Sequence, residues 1–318
     1  MSLKITGTGR GLPQRIVLNR DLEEFLDTSD KWIRERTGIE ERRICVQESL
    51  TDLAYEASIK ALEAAGKKAC DIDYIICSTI GGDYITPSLA CSLGQRLGVV
   101  CPAFDLNAAC TGFIYALDLA QSLLNDKKAS SVLVVGAERM SAFTDWTDRS
   151  TSVLFGDGAG ACLCEPGSAL KFLYTDSKGD VDILYSRTGS GNSPFAKDVS
   201  EKGYLHMTGQ EVFKFAVKSF EKHVELATKA LEIETDDIDL YLLHQANKRI
   251  IDFAGQRLGL DAKKFPINLT RYGNISSASI PLLMDELVRD GKIKKGDKIF
   301  CSAFGAGLTS GSCVLEWE

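Results

Sequence analysis

Cys110 is the residue of this chain with the clearest potential for covalent chemistry. It follows the strand-like run Ala103–Leu106 and opens a helix-like run over residues 111–124. Unpaired N–H groups and partial positive charge at the start of a helix lower the pKa of a thiol, so we expect a nucleophilic thiolate here. The alternative is an inert buried thiol, the usual state of a free cysteine. We assign that state to the other cysteines: Cys45, Cys70, Cys77, Cys91, Cys101, Cys162, Cys164, Cys301 and Cys313.

Two further side chains could assist such a nucleophile by donating hydrogen bonds. His244 directly follows the strand-like run Leu240–Leu243, where an imidazole could donate to a substrate carbonyl or instead be a satisfied core histidine. Asn274 follows Gly273, and its amide could donate to developing negative charge or serve as a helix N-cap. Neither residue has a carboxylate beside it in the sequence. Two neutral donors therefore fit better than the arrangement of a Cys-His-Asp hydrolase.

The other two histidines are weaker candidates. His223 falls in a helix-like run rich in Lys and Glu, which predicts a solvent-exposed position. His206 lies close to Tyr204 and Met207 at the entry to that run, and we interpret it as structural.

Three glycine-rich segments could in principle bind phosphate. Residues 304–308 follow a strand-like run but lack the Lys-Ser/Thr ending of a P-loop, so their N–H groups fit an oxyanion hole better. Residues 156–160 precede an apolar strand rather than a helix, and residues 7–11 are followed by no suitable helix. We therefore reject a dinucleotide site at either segment.

The elements that would position these residues occur twice in the chain. Residues 71–76 recur as residues 237–242, at an offset of 166 (239 − 73). Residues 131–136 resemble residues 298–303, at an offset of 167 (299 − 132). Two similar runs at nearly one offset indicate two copies of one α/β unit.

We assign the two copies to residues 1–165 and 166–318. Alternating helices and continuous apolar strands favour stacked α/β layers with parallel pairing. An offset of 166 carries Cys110 to Ser276, so Cys110 and Asn274 fall on equivalent loops before helices. Loops at the carboxyl ends of strands are where open α/β sheets bind ligands.

The composition limits the class of protein. The 318 residues are 44% hydrophobic and 25% charged, as in an ordinary globular protein with a sizeable core. The Gly- and Ser-rich residues 186–203 predict a surface loop. A net charge of −7 argues against a general nucleic-acid-binding protein, which would be basic.

Cysteine usage and hydropathy indicate a reducing, cytoplasmic setting. Ten cysteines are scattered through the chain without a signal-peptide pattern. No run approaches the roughly 20 apolar residues that span a membrane. The one close pair, Cys162 and Cys164, does not have the spacing of a zinc site. We therefore expect a cytoplasmic protein with no metal and no membrane contact.

An ordered set of motifs runs through the chain: Thr-Ser-Asp-Lys-Trp-Ile (28–33), Arg-Thr-Gly-Ile (36–39), Ala-Ala-Cys-Thr-Gly-Phe (108–113), Phe-Gly-Asp-Gly-Ala-Gly (155–160), His-Gln-Ala-Asn (244–247), Gly-Asn (273–274) and Ala-Phe-Gly (303–305). Over essentially the whole length, this set resembles the β-ketoacyl-acyl-carrier-protein synthase III family, the condensing enzymes that start type II fatty-acid synthesis. The resemblance implies an α/β thiolase fold, a five-layered αβαβα arrangement built from two duplicated halves, and a homodimer.

The resemblance also implies a catalytic set and its substrates. Cys110, His244 and Asn274 would be the catalytic residues, and the N–H groups of Cys110 and Ala306 would form the oxyanion hole. An acyl-CoA would acylate Cys110. Malonyl-acyl-carrier protein would then lose CO2 and condense with the acyl group to give a β-ketoacyl-carrier protein. Both thioesters are substrates, and no cofactor is implied.

The family pattern further assigns binding residues. Those for CoA are Thr28, Trp32, Arg36, Arg149, Gly209 and Asn247, where Trp32 offers a stacking face for adenine and the arginines suit phosphates. Those of a basic patch for the acidic carrier protein are Lys214, Arg249 and Arg257. Those of the acyl pocket are Thr86 and Phe304.

Two residues depart from the family pattern. Ala306 stands where a Gly is common in the family, which adds a methyl group but keeps the N–H. Thr86 stands where some acetyl-preferring members carry Phe, which predicts room for longer or branched primers.

Three other functions remain open from the sequence. A thiolase-fold starter synthase or acyltransferase of secondary metabolism would use the same three residues for another product. A non-catalytic acyl-CoA-binding scaffold would not become acylated at Cys110. A Cys-His hydrolase would release free acid instead of a ketoacyl product.

Overall fold

Strands and helices alternate along most of the chain. The structure, a computed structural model, describes residues 2–188, 195 and 203–318, so most of the predicted loop over residues 186–203 lies outside the described residues. The strands are β1 (Ser2–Gly11), β2 (Arg15–Leu18), β3 (Glu41–Ile44), β4 (Tyr74–Ser78), β5 (Ala103–Leu106), β6 (Val132–Arg139), β7 (Asp157–Gly167), β8 (Leu170–Asp180), β9 (Leu184–Tyr185), β10 (His206–Met207), β11 (Leu240–Leu243), β12 (Lys298–Gly305) and β13 (Gly307–Glu316). The helices are α1 (Asn19–Leu22), α2 (Asp30–Thr37), α3 (Leu50–Ala65), α4 (Leu89–Leu97), α5 (Gly112–Asn125), α6 (Arg149–Ser152), α7 (Gly209–Leu231), α8 (Lys248–Leu258), α9 (Leu269–Tyr272) and α10 (Ser279–Arg289).

Two mixed sheets form the centre of the molecule. The first has the strand order β1-β7-β6-β4-β5 and the second the order β8-β13-β12-β11. Each sheet contains one equivalent parallel pair (β4 with β6, β11 with β12), next to which β7 or β13 runs antiparallel; in the first sheet β5 also pairs parallel with β4. The second sheet therefore repeats four strands of the first in the same order, and β5 is an additional edge strand.

Helices cover both faces of both sheets. α3 packs on the outer face of the first sheet, against β1 and β7, and α7 packs on the outer face of the second, against β8 and β12. α5 and α10 lie between the sheets, where α5 contacts β6 and β13 and α10 contacts β7 and β11. This is the five-layered arrangement that the sequence predicts. Among the described residues, no helix has both the length and the apolarity to cross a membrane.

The chain passes from one sheet to the other at Ser168 and Ala169. β7 ends at Gly167 in the first sheet, and β8 begins at Leu170 in the second. The predicted division after residue 165 falls just before the end of β7.

Glycines allow β1 and α3 to pack backbone against backbone. Gly7, Gly9 and Gly11 alternate along β1, and a Cβ atom at any of them would overlap a carbonyl oxygen of α3. The N-terminus of α3 is held by a capping box, in which Ser49 and Asp52 each accept a backbone N–H of the other. The glycines of residues 7–11, which were rejected as a nucleotide site, thus allow α3 to pack closely on β1.

Candidate active site

One large cavity contains the three residues that the sequence singles out for chemistry. Cys110, His244 and Asn274 all line a cavity of about 1600 Å³. Cys110 comes from the first half of the chain, shortly after β5, whereas His244 and Asn274 come from the second. The fold therefore brings together side chains from distant parts of the sequence.

A tight turn places Cys110 at the start of α5. Ala109–Thr111 form a 3₁₀ turn that leads directly into the helix. Asn107 Oδ1 accepts a hydrogen bond from the Ala109 N–H at 3.2 Å, and Ala109 has a left-handed φ of 47°. That conformation is uncommon for a residue other than glycine.

The second half repeats this turn beside the first. Asn274 Oδ1 accepts a hydrogen bond from the Ser276 N–H at 2.9 Å, Ser276 has a φ of 47°, and the 3₁₀ turn Ser276–Ala278 leads into α10. The two turns contact each other. Each feature lies 167 residues after its counterpart (274 − 107), so Cys110 corresponds to Ser277. The predicted correspondence with Ser276 is one residue short, because it carried the strand offset of 166 into the turn.

The surroundings of the Cys110 sulfur differ from expectation. Burial raises the pKa of the thiol to about 12, while the Ser276 hydroxyl acts to lower it and the Glu138 carboxyl to raise it. Burial thus acts against the lowered thiol pKa that the sequence predicts from the helix N-terminus, and that lowered pKa stays a prediction.

His244 is a neutral hydrogen-bond donor. Its ring is buried, and burial lowers its pKa to about 3. Nδ1 lies 2.8 Å from the Ser279 hydroxyl, which accepts a hydrogen bond from the Gln245 N–H at 3.4 Å. The buried hydroxyl proton has no other acceptor in the described residues, so Ser279 donates to Nδ1 and the ring proton lies on Nε2. Nε2–H is thus the free donor of the ring.

The Asn274 amide is oriented by its own turn. Because Oδ1 accepts the Ser276 N–H, Nδ2 remains as a donor, and it has no protein acceptor in the described residues. Ala278, not Asn274, is the N-cap residue of α10. The main chain of Asn274 is fixed instead by the start of β7, since its N–H donates to Leu154 O at 2.8 Å and its carbonyl accepts from Gly156. Two neutral donors, on His244 and Asn274, therefore line the same cavity.

The turn between β12 and β13 lies against the backbone of Cys110. A Cβ atom at Gly305 would lie only 2.7 Å from the Cys110 nitrogen, so glycine is required for this approach. Thr309 Oγ1 lies 3.0 Å from the carbonyl oxygens of both Ala108 and Ala306, which connects the two turns. Ala306 also lines the cavity. This arrangement suits a pair of N–H donors for an oxyanion.

Four of the residues expected to bind CoA line the cavity: Trp32, Arg36, Gly209 and Asn247. Thr28 and Arg149 lie outside its wall, but the Arg149 guanidinium stacks on the Trp32 ring at 4.8 Å, and that of Arg36 lies 5.5 Å from the ring. Asn247 caps α8 and donates its amide to the Arg36 carbonyl at 3.2 Å. The cavity wall thus carries an aromatic ring and one cation at this place, and a second cation stacks on that ring from outside the wall.

The three cations expected to bind the carrier protein differ in their relation to the cavity. Lys214 and Arg249 line the cavity, and Arg257 lies outside it, paired with Glu221. Lys214 pairs with Glu211 at 2.7 Å. Arg249 is exposed and has no acidic partner among the described residues.

The two residues expected in the acyl pocket differ in position. Phe304 lines the cavity, and its ring contacts the His244 ring edge-on at 5.4 Å between centroids. In the single chain, Thr86 is exposed and lies outside the cavity wall, so its place in an acyl pocket stays a prediction. The loop after β4 carries it outward together with the fully exposed Ile85.

His223 was predicted to be exposed, and that prediction is wrong. His223 lies on α7, and its ring is fully buried. Nδ1 lies 2.9 Å from the Ser302 hydroxyl and Nε2 lies 3.2 Å from the Ser310 hydroxyl. Burial lowers its pKa to about 4. His206 is exposed and is not part of the cavity wall, although it stacks on Tyr185, which lines that wall.

Glu138 is a residue beside the site that the sequence reasoning missed. It lies near the end of β6, is fully buried, and faces Ser276 and Ser277 of the second half. Burial raises its pKa to about 7. The sequence carried a signal for it, since Glu138 lies near the end of an apolar strand-like run, as Cys110 and His244 follow the ends of theirs.

Models of one protein family match both parts of the chain. The model described as 3-oxoacyl-[acyl-carrier-protein (ACP)] synthase III matches residues 104–180, and that of its C terminal matches residues 228–317. A relative from Clostridium perfringens, named β-ketoacyl-[acyl-carrier-protein] synthase III, is 46% identical over 320 residues, which cover 98% of this chain and 98% of the relative.

Solved structures confirm the predicted thiolase-like α/β fold. The 3-oxoacyl-[acyl-carrier-protein] synthase III from Aquifex aeolicus VF5 superposes with a TM-score of 0.92 at 39% identity, over 99% of this chain and 100% of that one. The priming β-ketosynthase from the R1128 polyketide biosynthetic pathway has a TM-score of 0.92 at 34% identity, over 99% of this chain and 96% of that one. The chain belongs to the β-ketoacyl-[acyl-carrier-protein] synthase III family, the acyltransferases that carry out the initiating condensation of fatty acid synthesis.

Proposed function

We propose that this protein joins an acyl-CoA primer to malonyl-acyl-carrier protein in two half-reactions within the cavity. In the first, the Cys110 sulfur attacks the thioester carbonyl of the acyl-CoA. The N–H groups of Cys110 and Ala306 donate to the oxyanion of the tetrahedral intermediate. The bond between the carbonyl carbon and the CoA sulfur then breaks, and the acyl group remains on Cys110.

The second half-reaction uses the two neutral donors. His244 Nε2–H and Asn274 Nδ2–H donate to the thioester carbonyl of the malonyl group. The bond to the malonyl carboxylate breaks, CO2 leaves, and its electron pair forms an enolate that these donors stabilise. The enolate carbon attacks the acyl carbonyl, and the bond to the Cys110 sulfur breaks. The product is a β-ketoacyl-carrier protein.

The pair of uncharged donors is the observation that carries this proposal. A hydrolase needs a base to activate water, and the His244 ring is held neutral with its free nitrogen already protonated. Decarboxylation supplies the carbanion without removal of a proton, so donors alone are sufficient. A non-catalytic scaffold would not require three such groups at one cavity.

A starter synthase of a secondary pathway is the second candidate. The likeness to a priming β-ketosynthase of a polyketide pathway, at a TM-score of 0.92, favours it specifically. Both candidates predict acylation of Cys110, and they differ in the acceptor and in the product pathway.

Intact-mass measurements with a panel of acyl-CoAs test the proposed function. We expect the protein to gain the mass of one acyl group, located by peptide mapping at Cys110. Addition of malonyl-carrier protein should then remove that group and release CO2 with a β-ketoacyl-carrier product. Free acid in place of that product would identify a hydrolase, and no mass gain with any acyl-CoA would contradict the proposal.

Lys214 and Arg249 are proposed to receive the acidic carrier protein. Because both line the cavity, we expect the double variant Lys214→Glu/Arg249→Glu to raise the KM for malonyl-carrier protein by about tenfold or more through charge repulsion. Steady-state kinetics at low salt measure the change. Arg257→Glu is the matched control, since Arg257 lies outside the cavity and already pairs with Glu221. Equal KM values for the wild type, the double variant and the control would contradict the proposed role of Lys214 and Arg249 in carrier-protein binding.

A homodimer and a cytoplasmic location remain predictions. β5 is the edge strand of the first sheet, and the apolar side chains of Val100 and Ile85 each have a relative exposure of 105%. An open strand edge beside exposed apolar residues is typical of a surface that pairs with a second copy.

A further inference from the structure

The two N–H groups proposed for the oxyanion hole lie on separate parts of the chain. That of Cys110 belongs to the turn that leads into α5, and that of Ala306 to the turn between β12 and β13. Two donors stabilise an oxyanion strongly only when both point at the place where the negative charge develops. The two turns must therefore be held at a fixed separation, since a relative displacement would weaken the donation.

One side-chain hydroxyl connects these turns. Thr309 Oγ1 lies 3.0 Å from Ala108 O, 3.0 Å from Ala306 O and 3.0 Å from the Thr111 hydroxyl oxygen. The two carbonyl oxygens can only accept hydrogen bonds, so Thr309 must supply the proton between them, and a Thr111 hydroxyl can donate back to Thr309. Ala108 and Thr111 stand on either side of Cys110 in the chain. The contact thus joins residues that flank one proposed donor to the residue that carries the other.

Thr309 is held by an internal strand of the second sheet. β13 lies between β12 and β8, and Thr309 pairs with Gly305 on one side and with Ser177 on the other. A side chain on a strand that is paired along both edges has a more precise position than one on a loop. The hydroxyl therefore reaches both turns from a part of the molecule with little freedom to move.

Close backbone packing surrounds the same contact. Thr111 is fully buried, and a Cβ atom at Gly311 of β13 would lie 3.2 Å from the Thr111 methyl carbon. On the other side, a Cβ atom at Gly305 would lie only 2.7 Å from the Cys110 nitrogen. The glycines thus allow the two turns to come together, and the Thr309 hydroxyl bonds them to each other.

We propose that Thr309 is the positioning residue of the oxyanion hole. The proposal rests on the function proposed above. The Thr309 hydroxyl keeps the carbonyls of Ala108 and Ala306 at one separation, and this sets the N–H groups of Cys110 and Ala306 against the thioester oxygen of the primer. Thr309 acts through these two backbone donors and takes no part in making or breaking bonds.

The other pair of donors in the cavity does not depend on this hydroxyl. The His244 ring is held by Ser279 at 2.8 Å. The Asn274 side chain is held by the Ser276 N–H at 2.9 Å. In the proposed function these donors act on the malonyl thioester, whereas the oxyanion hole acts on the acyl carbonyl. Loss of the Thr309 hydroxyl should therefore slow attack on the acyl group and spare decarboxylation.

Single-turnover acylation of Thr309 variants tests this role. Thr309→Val removes the hydroxyl and keeps the shape of the side chain. We expect the maximal acylation rate to fall by about 10- to 100-fold, because the transition state loses stabilisation. The half-saturating concentration of acyl-CoA should change little, because the bound thioester makes less use of these donors. The probe is whichever acyl-CoA acylates the wild-type protein fastest.

Two further variants separate the hydroxyl from other features of the site. Thr309→Ser restores the hydroxyl without the methyl group, and its acylation rate should stay within a few-fold of wild type. Thr175→Val is the matched control, because Thr175 lies on β8 of the same sheet but outside the cavity wall. Thermal unfolding checks that each variant is folded, and Thr309→Ala decides the question if Thr309→Val is not.

Decarboxylation provides a readout that a general distortion of the site would not spare. Cys110→Ala and the double variant Cys110→Ala/Thr309→Val should release CO2 from malonyl-carrier protein at rates within a few-fold of each other. Wild-type acylation by Thr309→Val would overturn the proposal, as would equal losses in the Val and Ser variants or an equal loss of decarboxylation. Failure of the wild-type protein to be acylated would instead contradict the proposed function.

Discussion

Cys110→Ala is expected to reduce the rate of acylation by acyl-CoA by a factor of about 10⁴ or more. Among the described residues, no other thiol lines the cavity with His244 and Asn274. The neighbouring residues Ala109 and Gly112 are small, so the variant should fold as the wild type does. Decarboxylation of the malonyl thioester should persist, since the donors of His244 and Asn274 remain in place. Intact mass and CO2 release measure the two steps separately.

His244→Ala is expected to give the opposite result. Acylation should stay within a few-fold of wild type, while condensation should fall by about 10²–10³-fold through loss of one donor to the enolate. His206→Ala is the control, because the His206 side chain is exposed and is not itself part of the cavity wall. If His244→Ala lost acylation as severely as Cys110→Ala, the assignment of His244 to the condensation step alone would be wrong.

Gly9→Val is expected to cause the largest loss of stability. A Cβ atom at Gly9 would overlap the Ala57 carbonyl oxygen of α3, and a backbone carbonyl in a capped helix cannot move aside. We expect the free energy of unfolding to fall by at least about 3 kcal/mol, or the protein not to fold. Urea denaturation followed by circular dichroism measures the change.

Gly179→Ala provides the comparison for Gly9. No atom lies within 4 Å of a Cβ built at Gly179, which is on the exposed strand β8. Its effect should be within about 0.5 kcal/mol. Similar losses for the two variants would mean that glycine content rather than the contact with α3 controls stability.

The strands that carry the site were predictable because their signals are local. The runs Ala103–Leu106 and Leu240–Leu243 are strands with those same bounds in the structure, and the second is a mostly buried apolar strand with no polar alternation to obscure it. The repeat at a nearly constant offset indicated the duplication directly. Cys110 and His244 were identifiable because each follows a strand, and Asn274 because it lies on the loop equivalent to that of Cys110.

Features that depend on contacts between distant elements were not predictable. Burial raises the pKa of the Cys110 thiol. The sequence showed only the helix that follows this residue. His223 lies on the apolar stripe of α7, three residues after Phe220. The charged residues around it suggested an exposed face, but helical spacing decides which face is buried.

The one-residue error in pairing the two turns has a structural cause. Tyr74 pairs with Val132 in the first sheet, and Leu240 pairs with Ile299 in the second. The offset therefore grows from 166 to 167 between these strands, and the turns lie within the interval where it changes. Sequence similarity in the strands alone could not locate the extra residue.

The similarity of the two turns indicates that the two halves of the chain arose by duplication. A duplicated gene would at first have encoded two equal turns, each with its own asparagine, and these survive as Asn107 and Asn274. The two halves then diverged. Cys110 of the first half corresponds to Ser277 of the second, and His244 of the second half corresponds to Ser78 of the first. Since one half holds the nucleophile and the other half holds both donors, neither half alone could carry out the proposed condensation.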